Sequence, residues 1–194
     1  MKKKTTVHVY LLCALFAAIT GICSQIMVPL PFTPVPINLA LLAVWVCGGV
    51  LGARRGAIAI LVYILLGAIG VPVFATLQGG LGILAGPTGG YIVGYVPAVI
   101  IFGLLYRAFV SQPIAIAGQK IKTARRFALA VVAGLPALLS CYALGTVWFI
   151  FLTKTGFLAA MTMCVLPFIP GDILKLIAAA AVCEALRKPL RSIL

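Results

Sequence analysis

Long stretches without a charged residue alternate along the chain with short clusters of basic residues. The stretches 5–53 and 56–106 contain no Lys, Arg, Asp or Glu over 49 and 51 residues. A transmembrane helix needs about 20 predominantly apolar residues, so each stretch can hold two helices and a turn. Residues 127–153 and 167–186 each provide one more mainly apolar segment. The pattern therefore predicts an all-α integral membrane protein, a bundle of six transmembrane helices.

Prolines and glycines mark the turns inside the two long stretches. Four prolines cluster between residues 29 and 36, and glycines are frequent between residues 70 and 90. Proline and glycine both interrupt helices. We therefore predict a single membrane domain over residues 1–194. Its helices are expected at about 7–28, 37–52, 56–70, 91–109, 127–152 and 170–187, and its outer loops at 29–36, 71–90 and 153–169.

The composition excludes several classes of protein. Of the 194 residues, 64% are hydrophobic and 9% are charged, and the mean hydropathy is +1.25. A soluble domain carries about 25% charged residues, and a disordered chain lacks this much apolar side chain to bury. A nucleic-acid-binding protein would place its positive charge on a water-soluble face, which this composition does not offer. These values predict a multi-pass protein of the cytoplasmic membrane.

The basic residues predict the orientation in the membrane. With six helices, the two termini, the turn at Arg54 and Arg55, and the loop 107–126 share one face. Thirteen of the fifteen Lys and Arg residues fall on that face, namely Lys2, Lys3, Lys4, Arg54, Arg55, Arg107, Lys120, Lys122, Arg125, Arg126, Arg187, Lys188 and Arg191. The face richer in Lys and Arg is cytoplasmic, so both termini are predicted to be cytoplasmic. Lys154 falls in an outer loop, and Lys175 falls within the membrane.

The two acidic residues have different surroundings. Glu184 precedes Arg187 by three residues, a spacing that stabilises a helix. Asp172 precedes Arg187 by about 22 Å of helix, which places it in the outer part of the membrane with Lys175 one turn deeper. Intramembrane charges cost about 2.5–3.5 kcal/mol each and therefore pair or line a cavity. Two interpretations stay open: a mutual ion pair, or a site where Asp172 accepts ligand N–H groups and Lys175 binds a ligand carboxylate.

The segment 79–91 is rich in glycine, with six glycines among residues 79–90. Irregular backbone at membrane depth is tolerated where it is buried or lines a cavity. The segment lacks the Gly-Lys-Ser/Thr of a phosphate-binding P-loop, so it is not predicted to bind ATP. Any energy that the protein uses must therefore come from elsewhere.

Two shorter patterns complete the inventory of motifs. A Pro-Phe-x-Pro element occurs at 31–34 and again at 167–170, and its prolines either end helices or stiffen a gate. Ala14 and Ala18 form an AxxxA pair in the first helix, and such small residues allow two membrane helices to approach closely.

The cysteines do not indicate chemistry. All six lie singly in apolar segments, without a CxxC pair, which is typical of buried thiols that pack as small hydrophobic side chains. With one histidine and two acids, the chain offers no metal cluster and no nucleophile–base constellation. We therefore predict no metal, no cofactor and no enzymatic activity.

In their order and spacing the motifs resemble those of the BioY family, the biotin-binding S components of energy-coupling factor (ECF) transporters. The resemblance covers nearly the whole chain. It is carried by PFTPVP at 31–36, GxPVFA at 70–75, the GG…GPTGGY loop at 79–91 and PFxPGDxxK at 167–175.

This resemblance implies capture of biotin from outside by a six-helix bundle, with a transmembrane T component and two ABC-type ATPases supplying the energy. It implies that Ala14 and Ala18 form the patch that docks on the T component. The implied mechanism is closure of the loops 31–36 and 79–91 after capture, followed by toppling of the bundle against the T component to release biotin inside. The substrate contacts that it implies are Asp172, Lys175, Gln78, Gly79, Gly80, Gly86, Pro87, Thr88, Gly89, Gly90, Tyr91 and Phe32. The chain departs from some relatives at Gln78, where they have asparagine, and at Ile92, where they have arginine.

Two alternative functions remain at this point. An S component for another small vitamin would share the same architecture. An autonomous secondary transporter driven by protons would use Asp172 as its titrating group, although such transporters usually carry more intramembrane carboxylates and internal repeats.

Overall fold

The computed structural model describes residues 2–111 and 123–190, with side chains over 7–110 and 123–187. Its helices are α1 (Lys2–Gln25), α2 (Ala40–Ala68), α3 (Leu81–Ala85), α4 (Gly89–Tyr106), α5 (Thr123–Thr153), α6 (Phe157–Cys164) and α7 (Ile169–Leu190). Two short strands, a 3₁₀ turn and a π-helical turn complete it: β1 (Met27–Val28), β2 (Ile37–Asn38), Ala75–Leu77 and Arg107–Ser111. Of the cations predicted to be cytoplasmic, Lys120, Lys122 and Arg191 lie outside the described residues, as do the side chains of Lys2, Lys3, Lys4 and Lys188.

Most of the described chain is helical and apolar enough for a membrane. Four segments are each long and hydrophobic enough to cross a bilayer: α1, α2, α4 with the π-helical turn, and α5. The pair α6 and α7 passes the same test together, with a bend of 50° at the short break between them. Within the described residues this makes four candidate spans, or five when the bent pair is counted as one. The chain is therefore a multi-pass membrane protein.

Helix α2 is sharply broken at Gly52. This residue has φ 76° and ψ 175°, which lie outside the helical region. A Cβ atom built on Gly56 would lie 3.5 Å from the Cα atom of Gly48, whereas eight residues of straight helix would separate the two by about 12 Å. The chain therefore folds back at Gly52, next to the turn predicted at Arg54 and Arg55, and the two halves of α2 pack against each other.

The first loop is closed by a two-stranded antiparallel ladder of β1 and β2. The helices expected to end at 28 and to begin at 37 instead end at Gln25 and begin at Ala40. A proline disfavours helical backbone in the residue before it, so Val28 is extended ahead of Pro29. At the other end, the Asn38 side chain accepts the Ala40 N–H at 3.1 Å. The difference from the predicted boundaries therefore has a local cause.

Short helices also occupy the segments predicted as the second and third outer loops. The segment 71–90 contains α3 and the start of α4, and the segment 153–169 contains α6. Helices of five and eight residues are too short to cross a membrane. A hydropathy pattern read in windows of about 20 residues therefore does not detect these short helices.

The large helices pack around a common core. Helix α2 contacts α1, α4 and α7, and α5 contacts α4 and α7. Gly145 on α5 lies directly against the ring of Tyr91 on α4, and a Cβ atom at this position would overlap that ring. This absence of a side chain lets an aromatic residue sit between the two helices.

Candidate functional site

A cavity of about 290 Å³ lies at the end of the bundle that carries the loop 29–36 and the segment 71–80. All the large helices except α1 contribute to its walls, together with both loops. Its apolar lining includes Leu41, Phe74, Ile83, Ile92 and Phe168. Its polar lining includes Asn38, Thr76, Gln78, Thr88, Tyr142, Asp172 and Lys175. A mostly apolar cavity with a few convergent polar groups is the usual form of a small-molecule site.

An ion pair with a tyrosine partner forms the most polar part of the cavity. Lys175 Nζ donates to Asp172 Oδ1 at 2.6 Å, and the Tyr142 hydroxyl donates to Asp172 Oδ2 at 2.5 Å. Asp172 is 4% exposed and Lys175 8% exposed. We call these three residues the charged wall. Each carboxylate oxygen is already held by one donor, so the position of the carboxylate is well defined.

The place of Asp172 on its helix also favours its charge. It lies in the first turn of α7, where the helix dipole stabilises an anion. Its backbone N–H donates to the Phe168 carbonyl oxygen at 2.8 Å. The second Pro-Phe-x-Pro element, 167–170, therefore turns the chain into α7 and positions the acid at the cavity.

The charged wall offers donors and acceptors side by side with no net formal charge. A carboxylate oxygen can accept a second hydrogen bond, and the ammonium group of Lys175 has further protons to donate. The arrangement is complementary to a neutral ligand group that itself combines N–H donors with a carbonyl acceptor. It is less suited to a lone carboxylate, because the charge of Asp172 opposes a second anion nearby.

Tyr91 lines the cavity and connects three helices. Its hydroxyl lies 3.1 Å from Thr146 Oγ1 on α5 and 3.5 Å from the carbonyl oxygen of Cys164 on α6. The backbone oxygen of Tyr91 is also 3.6 Å from the Cys141 thiol. These contacts hold α4, α5 and α6 in register around the site.

The segment 73–78, which we call the 73–78 loop, forms a second wall. Phe74, Ala75, Thr76 and Gln78 line the cavity. The Phe74 ring is buried and meets the Tyr63 ring edge-on, with 5.6 Å between the ring centroids. This wall combines an aromatic surface with neutral polar groups.

Five of the twelve substrate residues predicted from the sequence line this cavity: Asp172, Lys175, Gln78, Thr88 and Tyr91. Seven are not among its lining residues: Phe32, Gly79, Gly80, Gly86, Pro87, Gly89 and Gly90. Phe32 is 52% exposed, whereas Phe168, the phenylalanine of the second Pro-Phe-x-Pro element, lines the cavity. The two copies of the motif therefore differ in their position relative to the cavity.

Two of the glycines outside the lining contact Trp148 on α5. The carbonyl oxygen of Gly86 accepts a hydrogen bond from Trp148 Nε1 at 2.9 Å. At Gly90 a Cβ atom would overlap the Trp148 side chain. These contacts fasten the glycine-rich segment to α5 and so place Thr88 and Tyr91 at the cavity.

Ala14 and Ala18 are exposed on α1 and are not among the cavity-lining residues. Leu11, Leu15 and Ile22 are exposed on the same helix. The face is apolar with small residues one turn apart, which suits contact with lipid or with another membrane helix.

Sequence reasoning missed Tyr142, which the structure places against Asp172. A tyrosine buried away from the membrane interface needs a partner for its hydroxyl group. Tyr142 lies near the middle of the long apolar helix α5, so its position alone could have marked it. Its partner, 30 residues later, could not be identified without the fold.

The chain matches one family of known proteins over nearly its whole length. The sequence profile of the BioY family matches residues 1–192. The chain is 40% identical over 179 residues to the biotin transporter BioY of Rhizobium etli, covering 90% of each protein. It is 35% identical over 181 residues to the biotin transporter BioY of Rhodobacter capsulatus, covering 86% of this chain and 90% of that one.

The fold also resembles a solved structure, the S-component for biotin from an ECF-type ABC transporter. The two superpose with a TM-score of 0.81 and share 25% sequence identity. The match covers 97% of this chain and 95% of the other.

Proposed function

The chain belongs to the BioY family, and we propose that it is the biotin-binding S component of an ECF-type transporter. It would capture biotin outside the cell for ATP-driven uptake across the cytoplasmic membrane. The observation that carries this proposal is the charged wall of Asp172, Lys175 and Tyr142 inside a largely apolar cavity. Its chemistry matches biotin, which combines a ureido group, an apolar sulfur ring and an aliphatic acid tail.

The geometry suggests an orientation for the ligand. The ureido group has two N–H donors and one carbonyl acceptor, so Asp172 would accept an N–H while Lys175 donates to the carbonyl oxygen. The acid tail would extend toward the neutral donors of Asn38, Gln78 and Thr88, which also line the cavity. A cavity of about 290 Å³ is near the lower end of the range for small-molecule sites, which suits a compact bicyclic ligand.

We propose six transmembrane helices with both termini in the cytoplasm. The reversal at Gly52 supports counting the two halves of α2 as two spans. With α1, α4, α5 and the α6–α7 pair this makes six. The concentration of Lys and Arg near the termini, at 54–55 and between 107 and 126 of the sequence supports the orientation.

For the partners, we propose a transmembrane T component and two ABC-type ATPases. The exposed small-residue face at Ala14 and Ala18 supports docking on a membrane helix of the T component. After capture, closure of the loops 31–36 and 79–91 would bring Phe32 and the glycines of segment 79–91 toward the ligand. Toppling of the bundle against the T component would then release biotin inside.

The experiment that tests the function measures binding of radiolabelled biotin to the purified full chain. We expect saturable binding that an excess of unlabelled biotin abolishes and an excess of thiamin does not. A chain that fails to bind biotin but binds another vitamin would refute the assignment of the substrate.

A second measurement tests the energy source. Uptake of biotin by vesicles is expected to require the T component and ATPases together with ATP. Uptake by this chain alone, abolished when the pH gradient is dissipated, would instead support a proton-driven transporter.

A further inference from the structure

The side chain of Gln25, at the end of α1, bonds to the 73–78 loop at two points. Gln25 Nε2 donates to the Phe74 carbonyl oxygen at 2.8 Å, and Gln25 Oε1 accepts the Leu77 N–H at 2.9 Å. One amide thus bonds a carbonyl group and an N–H group of the loop at once, as a neighbouring strand would. Both bonds bridge about fifty residues of sequence, so they join separate parts of the fold.

Ser24 adds a second connection beside the first. Its hydroxyl lies 2.5 Å from the Val73 carbonyl oxygen, and Gln25 Nε2 lies 3.0 Å from Ser24 Oγ. Ser24 is 1% exposed. The start of the loop is therefore attached to α1 within a buried environment, where hydrogen bonds are stronger than in water.

The loop needs such support because its backbone is strained. Thr76 and Leu77 have φ of 62° and 54°, in the left-handed region that non-glycine residues rarely adopt. Such conformations cost on the order of 1 kcal/mol each and persist only where the surroundings hold them. Within the loop, Phe74 and Gln78 pair as an antiparallel bridge, and Gln25 holds the side of the loop that contains Leu77.

The strained loop is also part of the proposed binding site. Phe74, Thr76 and Gln78 line the cavity, whereas Gln25 and Leu77 are not among its lining residues. A change at Gln25 therefore reaches a ligand in the cavity through the loop and not by direct contact.

We infer that Gln25 is a positioning residue for biotin retention: it keeps the 73–78 loop in the conformation that closes one wall of the cavity. The inference rests on the proposed function. Loss of both hydrogen bonds lets the loop relax out of its left-handed conformation, which opens a path for the ligand to leave. The effect should therefore appear in the rate of biotin dissociation more than in the rate of association.

The test compares three variants of the purified full chain loaded with radiolabelled biotin and chased with unlabelled biotin. Gln25→Met keeps the length of the side chain but removes both bonds to the loop. Gln25→Glu keeps the acceptor for Leu77 and loses the donor to Phe74. Ser140→Ala is the matched control, because it removes a side-chain hydrogen bond to the backbone of α5, from Ser140 Oγ to the Ala137 oxygen, away from the loop.

We expect Gln25→Met to raise the dissociation rate of biotin about tenfold, because this factor corresponds to the net stabilisation from one to two hydrogen bonds. Gln25→Glu should fall between Gln25→Met and the parent, and Ser140→Ala should match the parent. Asparagine tolerates positive φ, so Leu77→Asn in the Gln25→Met background should restore slow dissociation in part. A general loss of stability would not be reversed in this way.

Three results would overturn the inference: dissociation from Gln25→Met within twofold of the parent, an equal increase in Ser140→Ala, or no recovery with Leu77→Asn. If Gln25→Met does not fold, a parent-like dissociation rate in Gln25→Glu also overturns it. A parent chain that does not bind biotin refutes the proposed function itself, and that result is visible before any variant is compared.

Discussion

The charged wall and the 73–78 loop bound the same cavity but are built in opposite ways. In the charged wall, three side chains on two long helices, α5 and α7, bond directly to one another. In the loop, backbone groups with strained torsion angles are held from outside by α1. The contrast predicts that recognition and retention of the ligand can be separated by mutation. Two long helices supply the charges, and a strained segment forms the wall that we propose retains the ligand.

The largest expected effect comes from removing the acid of the charged wall. In Asp172→Asn the ureido group loses a charged acceptor and Lys175 is left buried without its counterion, so biotin affinity should fall more than about 100-fold. Equilibrium binding of radiolabelled biotin measures this. The matched control is Glu184→Gln, because Glu184 pairs with Arg126 outside the cavity lining. A similar loss of affinity in both variants would contradict the assignment of the site to Asp172.

Removing the cation should have the next largest effect. Lys175→Met deletes the donor to the ureido carbonyl and leaves the Asp172 charge unpaired, so we expect about a 30-fold loss of affinity in the same binding assay. Lys154→Met is its control, since Lys154 is exposed and lies over the Phe151 ring. An unchanged affinity in Lys175→Met would show that the ion pair is structural only.

A double variant separates stability from recognition. Asp172→Asn with Lys175→Met removes both buried charges, and replacing a buried ion pair with neutral groups is often close to neutral for stability. We expect its thermal unfolding midpoint to lie above that of Asp172→Asn, while biotin binding stays lost. Recovery of binding in the double variant would contradict a direct role of the charges.

A smaller loss of biotin affinity is expected when only Tyr142, the hydrogen-bond partner of Asp172, is changed. Tyr142→Phe removes one hydrogen bond to Asp172 Oδ2 and leaves both charges in place, so affinity should fall about fivefold to tenfold. Isothermal titration with biotin measures the change. Tyr10→Phe, at an exposed position on α1, should have no effect. An affinity of Tyr142→Phe equal to that of the parent would remove Tyr142 from the charged wall.

The smallest effect is expected from a change in the ligand. If the tail faces neutral amide and hydroxyl groups, biotin carboxamide should bind within about fivefold of biotin in a competition assay. An analogue methylated on both ureido nitrogens should lose far more, because it cannot donate to Asp172. A much greater loss with the carboxamide than with the methylated analogue would reverse the proposed orientation.

Much of this organisation could be predicted from the chain alone. Apolar stretches longer than one span, interrupted by prolines and glycines, predicted a helical membrane protein, and the described structure has that character. Asp172 and Lys175 stood out because charges are costly in a membrane. Their spacing of three residues already placed both on one face of a helix, and the motifs around them indicated the family that the comparisons then confirmed.

What the sequence could not determine was which distant side chains meet at the cavity. In a soluble helix the polar face marks the surface, but in a membrane both the lipid and the core are apolar, so hydropathy does not distinguish the inner face from the outer. The pairing of Tyr142 with Asp172 and of Gln25 with the 73–78 loop therefore depended on helix packing. The same reason explains why the sequence did not distinguish Phe32 from Phe168. They occupy the same position in the two Pro-Phe-x-Pro elements, and of the two only Phe168 is among the cavity-lining residues. The sequence determined the helical membrane character and the two intramembrane charges. The tertiary structure decided which groups complete the site, because packing alone brings residues 30 to 50 positions apart into contact.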